Sequence, residues 1–258
     1  MASTLFQPKS FDPKQGQLAL NISGLCKAFD RPAVIDLDFK VRRGEFYVLL
    51  GPNGAGKTTV LRMVTGLLLS DTGHIEVLGM EQSSKAREIK QQVAYLPDEP
   101  MLYDKLKPYE YLEFVAGLWG MEATVASDQA SRLMNILELE PYANELTEGF
   151  SRGMKQKLAL AGALIHSPEL IILDEPLTGL DAVAARQVKD LLHAHTLSGG
   201  TIIMTTHILE VAERLASRIG IIQNGRMIAE GTMDELQVRA GSKDVSLEDV
   251  FLALVSTP

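Results

Sequence analysis

The run GPNGAGKTT, Gly51 to Thr59, has the residue types and spacing of a phosphate-binding loop, G-x-x-x-x-G-K-[ST]. Gly51, Gly56, Lys57 and Thr58 stand in the diagnostic places, with Pro52, Asn53, Gly54 and Ala55 between them and Thr59 after them. The glycines let backbone N–H groups curl around a phosphate without Cβ clashes. Lys57 offers a point charge to β- and γ-phosphates, and Thr58 offers a hydroxyl to Mg²⁺. A second element follows in LIILDEP, an apolar run closed by Asp174 and Glu175. At a strand end Asp174 can hold Mg²⁺, and Glu175 can orient or deprotonate a water that attacks the γ-phosphate. An acidic pair alone is as often a solvated turn; the phosphate loop upstream gives this pair a task. Together the residues imply a nucleoside triphosphate with Mg²⁺.

Such residues need strands that end together and a helix that starts on the phosphate. EFYVLL precedes the loop as a buried strand, and TVLRMVTGLL follows it with helical apolar spacing. EFYVLL, LIILD and TIIMTT are nearly continuous apolar runs, as expected of parallel strands covered on both faces. LALNISGL, VIDLDFKV and HIEVLG alternate apolar and polar, as half-exposed antiparallel strands do. That pattern suggests an antiparallel edge layer on a parallel, helix-covered core. From about 100 to 164 the spacing is helical, with no strand signal, which marks an insertion. RIGIIQNGRMIAEG reads as a hairpin about Asn224-Gly225. MDELQVRAG and SLEDVFLALV read as closing helices. The fold class is α/β: a phosphate-loop NTPase core with a mostly parallel sheet, an antiparallel β subdomain and a helical insertion. Residues 1–17 are expected to be a polar tail and 18–258 one domain, with the helical subdomain at about 100–164.

The chain has 258 residues and a net charge of −8, which argues against a broad nucleic-acid-binding surface. Cys26 is the single cysteine, so no disulfide framework is expected, and it reads as a small hydrophobe. No stretch reaches the roughly 18–20 apolar residues of a membrane helix, and the N-terminus lacks a signal-peptide core. The expectation is a soluble chain on the cytoplasmic side. His193 and His195 are two apart on a helix, point to different faces, and read as surface or core residues.

Three further motifs make a family resemblance specific. FSRGMKQK, Phe150 to Lys157, resembles the signature motif of ATP-binding-cassette (ABC) ATPases, usually written LSGGQ. LTGLD, Leu177 to Asp181, resembles their D loop, and TTH, ending at His207, resembles their switch-histidine loop. The order also matches, and the resemblance spans about Leu18 to Val255.

The resemblance implies two such domains closing head to tail on two ATP molecules. Ser151, Arg152, Gly153 and Met154 would then face the γ-phosphate held by the second ATPase subunit, in a homodimer. Asp181 would lie in the dimer contact, and His207 would touch the γ-phosphate and position water. Phe29 matches the aromatic residue that stacks on adenine, with core packing as its rival role. Ser151 is a good N-cap; Arg152 and Lys155 beside it oppose the helix dipole and suit a facing anion, or else form a solvated basic turn.

Two places depart from the family pattern. Asp98, in YLPDEP, stands where the Q loop usually presents Gln to Mg²⁺ and to the membrane partner. Arg152 and Met154 replace the usual Gly and Gln of the signature. These variants and SLEDVFLAL are similar to a branch of ABC exporters with separate ATPase and membrane subunits. The implied function is that of the ATP-hydrolysing subunit of a transporter, driving a transmembrane subunit from the cytoplasmic face without nucleic acid. The alternative is a soluble ABC ATPase acting on nucleic acid or ribosomes; a phosphate-loop kinase would leave the signature without a task.

Overall fold

A computed structural model of the chain describes residues 17–241 and 245–255. The tail expected at 1–17 therefore lies, except for Gln17, outside the described residues. The alternating N-terminal segment forms β1 (Leu18–Ala28) and β2 (Pro32–Arg42), joined by a tight turn. The buried run that follows is β3 (Phe46–Leu50), and the phosphate loop leads from it into α1 (Lys57–Val64). Next come β4 (Thr72–Val77), β5 (Met80–Glu81), α2 (Ala86–Lys90) and the short β6 (Val93–Leu96). The helical stretch holds α3 (Pro108–Leu118), α4 (Ala123–Ile136) and α5 (Arg152–Leu164) with two 3₁₀ turns between the last two. The chain then runs through β7 (Leu170–Asp174), α6 (Ala182–Leu197), β8 (Thr201–Thr206) and α7 (Leu209–Leu215). It closes with β9 (Arg218–Gln223), β10 (Arg226–Gly231), α8 (Met233–Arg239) and α9 (Leu247–Val255).

Two sheets result. One is antiparallel, in the order β2-β1-β4-β5; the other runs β10-β9-β3-β8-β7-β6. The strands from β9 to β6 in the second are parallel, and only β10 pairs antiparallel. The antiparallel strands thus form the expected β subdomain, as a sheet with its own ladder beside the parallel one. Twist and separate hydrogen bonding let the small sheet pack face-on, so both sheets bury apolar surface without sharing a ladder.

The alternation of β3 explains its unbroken apolar run. Phe46, Val48 and Leu50 enter a core with α3 to α6, whereas Tyr47 and Leu49 enter a second core with α1 and the antiparallel sheet. With both faces covered, no position along β3 can be polar. Because β3, β6, β7 and β8 are parallel, their C-terminal ends share one edge. Leu50 pairs with Thr206, Asp174 with Thr205, and Leu96 with Leu173. Every loop carrying an expected site residue of the core leaves from that edge, where ligands of open α/β sheets bind.

The Asn224-Gly225 hairpin has both residues at positive φ, 49° and 76°, as a primed turn requires. Its tip braces the phosphate loop: the Gly225 N–H donates to the Ala55 carbonyl at 3.0 Å, and the Ile35 N–H donates to Gly225 O at 2.8 Å. A Cβ on Gly225 would stand 2.7 Å from Ala33 O, so the tip admits no side chain.

Candidate nucleotide site

Gly56 sits at φ 105° directly before α1, a backbone state that a side chain disfavours, and a Cβ there would lie 2.5 Å from Ala33 O. The loop can therefore wrap inward only because this residue is glycine. It delivers Lys57 and Thr58 to the first turn of α1, whose free N–H groups and dipole favour an anion. A cavity of about 220 Å³ opens there, lined by Asn53 through Thr59 together with Ala33, Asp98 and Glu175.

Lys57 is buried and its ammonium is already held. Nζ donates to Gly51 O at 2.7 Å and to Pro52 O at 3.2 Å, and stands 3.6 Å from a Glu175 carboxylate oxygen. A buried cation needs such partners, and here they aim it along the loop.

Thr205 organises the acidic pair. Its Oγ1 donates to Asp174 Oδ1 at 2.5 Å and accepts from the Glu175 N–H at 3.1 Å. Asp174 is 1% exposed, and Glu175 follows it at φ 49°, the left-handed region that non-glycine residues rarely occupy. The bend turns the Glu175 side chain away from the strand line and toward Lys57. His207 Nδ1 lies 3.0 Å from Glu175 Oε1, a close contact that is not a hydrogen bond. Oε1 has no hydrogen-bond partner among the described residues.

Asp98 follows β6 and lines the same cavity. It also lines, with Thr58 and Asp174, a larger groove of about 1070 Å³ between the core and the helical insertion. Burial and the nearby Asp174 carboxylate push Asp98 above the usual carboxylate range, with Arg152 opposing. Arg152 reaches it at 3.8 Å, and Asp98 Oδ1, like Glu175 Oε1, is a buried oxygen with no hydrogen-bond partner among the described residues. A hydroxyl, two carboxylates near it and unsatisfied oxygens form a hard-oxygen donor set that suits Mg²⁺. The residues therefore fit the metal that a triphosphate site implies.

The signature stretch starts α5 as expected: Ser151 is the N-cap, accepting from Met154 N–H at 3.2 Å. Both basic residues near it find carboxylates of their own chain, Arg152 at Asp98 and Lys155 at Asp104, 3.2 Å away. Asp181 caps α6, accepting from Ala184 N–H at 2.8 Å. Ser151, Arg152, Gly153, Met154 and Asp181 do not line the phosphate cavity. Phe29 lies on the β1–β2 turn and is 60% exposed, so core packing is not its role. His195 is buried and His193 exposed, as their spacing implied. Cys26 is half-buried, and its Sγ accepts from Asp36 N–H at 3.3 Å.

Two residues escaped the sequence reading. Thr205 looks like any β-former in TIIMTT, one of three buried threonines in that strand, and its spacing does not single it out. Gln156, buried on α5, donates to Pro176 O at 3.3 Å and ties the signature helix to the loop after Glu175.

Comparisons with known proteins match the chain to one family. The ABC transporter family pattern matches residues 34–178. The probable multidrug ABC transporter ATP-binding protein YbhF of Escherichia coli strain K12 is 34% identical over 244 residues, covering 93% of this chain and 42% of that protein. The chain thus spans less than half of that relative. The linearmycin resistance ATP-binding protein LnrL of Bacillus subtilis strain 168 is 35% identical over 227 residues, covering 88% of this chain and 73% of that protein. A solved structure described as the ATP binding subunit of an ABC transporter superposes with a TM-score of 0.86 at 32% identity, covering 92% of this chain and 99% of the other.

Proposed function

This chain belongs to the ABC transporter family as one of its ATP-binding domains, and from that premise we propose that it hydrolyses ATP to drive transport through a separate membrane-spanning subunit. One observation carries the reading: Lys57, Thr58, Asp174, Glu175 and His207 converge at one edge of the parallel sheet. Lys57 and the α1 N-terminus bind the phosphates of ATP. Thr58, Asp174 and Asp98 would supply the oxygen donors for Mg²⁺, which would neutralise phosphate charge when bound. Glu175 orients the attacking water and takes its proton at Oε1, which accepts no hydrogen bond among the described residues, and the nearby His207 steadies that carboxylate. Phe29 offers its exposed ring to the adenine.

Ser151, Gly153, Met154 and Asp181 lie off this cradle, and they complete the site of a second copy in a head-to-tail dimer. Arg152 belongs to the same signature and, in the single subunit, stands 3.8 Å from its own Asp98. The relatives are named for multidrug transport and linearmycin resistance, which supports an exporter working from the cytoplasmic face. Among the described residues no helix is long and apolar enough to cross a membrane, which is consistent with a partner supplying the channel. The groove beside Asp98, with Met101, Trp119 and His166 on its walls, is the surface offered to that partner. Relatives of this kind favour transport over action on nucleic acid. Purification of the tagged chain from membranes tests this: a multi-span protein should accompany it and raise its ATP turnover. Recovery without a membrane protein, with turnover raised by RNA instead, would contradict the reading.

A further inference from the structure

Phe29 presents a large apolar ring to water on the turn of residues 29–31, where burial cannot fix it. The turn's own bond is slight: the Phe29 N–H donates to Arg31 O at 3.0 Å. Pairing of β1 with β2 ends at Ala28 opposite Pro32, a residue with no N–H to offer. Something else must hold the platform still.

Asp71, in the connection between α1 and β4, meets three successive residues at the end of β1. Its N–H donates to Cys26 O at 2.9 Å. One carboxylate oxygen accepts the Lys27 ammonium at 2.6 Å, and the other accepts the Ala28 N–H at 2.7 Å. The Lys27 ammonium in turn stands 5.7 Å from the centre of the Phe29 ring, within cation–π range. Both bonds hold the Asp71 carboxyl below its usual range, so it is charged at neutral pH. An exposed ion pair of this kind stabilises a fold little; its value is geometric. One aspartate replaces the missing strand partner, pins the residue before Phe29 and holds a cation against the ring.

We propose that Asp71 is a positioning residue for the base of the nucleotide, clamping the end of β1 so that Phe29 stacks from a fixed place. The proposal rests on the ATP-binding reading and on Phe29 as its stacking residue. It also links the two halves of the ligand, because the segment that begins with the phosphate loop ends on Asp71.

The test compares affinities of the full-length protein for ATP and for inorganic tripolyphosphate, which has no base. Variants are Asp71→Asn, Lys27→Met, Phe29→Ala and the pair Asp71→Asn/Phe29→Ala. Asp71→Asn should weaken ATP roughly tenfold, the scale of one base–aromatic stack, and leave tripolyphosphate unchanged. Lys27→Met should fall between Asp71→Asn and wild type. The double variant should bind ATP no more weakly than Phe29→Ala alone, since both remove one interaction. Equal loss of both ligands in Asp71→Asn would mean a merely structural role and overturn the clamp. So would unchanged ATP affinity in Asp71→Asn while Phe29→Ala weakens it. Unchanged affinity in Phe29→Ala would instead remove the stacking reading, and the clamp with it.

Discussion

Thr205 Oγ1 donates to Asp174 Oδ1 at 2.5 Å and accepts from the Glu175 N–H at 3.1 Å, so one hydroxyl holds the Asp174 carboxylate and the backbone of Glu175. Thr205→Val keeps the shape and removes the hydroxyl. The buried Asp174 carboxylate then loses its hydroxyl donor, at about 1–3 kcal/mol, while the Glu175 N–H keeps its bond to the Thr205 carbonyl at 3.3 Å. Urea unfolding should show that loss, and single-turnover ATP hydrolysis should slow roughly tenfold. Wild-type stability and rate together would refute the role given to Thr205.

Lys57 is held by Gly51 O and Pro52 O beside the phosphate cavity. Lys57→Ala should raise the Kd for ATP about a hundredfold, the scale of one charge-assisted contact with phosphate in a partly dry site. Calorimetric titration reads it directly, and unchanged affinity contradicts the phosphate-loop assignment.

Ser151 caps α5 through the Met154 N–H. Ser151→Ala should cost about 1 kcal/mol of stability. If Ser151 also serves the site of a second copy, hydrolysis should fall by more than that change implies, while ATP binding by the single subunit stays the same. A fall in stability with full turnover would leave Ser151 a cap and nothing more.

The phosphate loop, the acidic pair and the histidine were legible because each closes a strand whose apolar run is unbroken, and burial on both faces writes that run plainly. The hairpin was legible from Asn224-Gly225, though its bracing of Ala55 was not, since a contact between turn and loop leaves no period. The antiparallel subdomain was legible as a half-exposed layer, though its separate ladder was not, because alternation reports one exposed face and not which ladder the strand joins. Thr205 and Asp71 were silent for a related reason. A threonine in a strand and an aspartate after a helix are common, and only the distances to Asp174, Lys27 and Ala28 reveal their work.

The central claim is that Glu175 takes the proton of the attacking water in an ATP site completed by a second copy. Glu175→Gln retains size and removes the base. With ATP and Mg²⁺, the variant should bind ATP as wild type does, sediment as a stable dimer, and hydrolyse at least about a hundredfold more slowly. Undiminished turnover in Glu175→Gln would contradict the account.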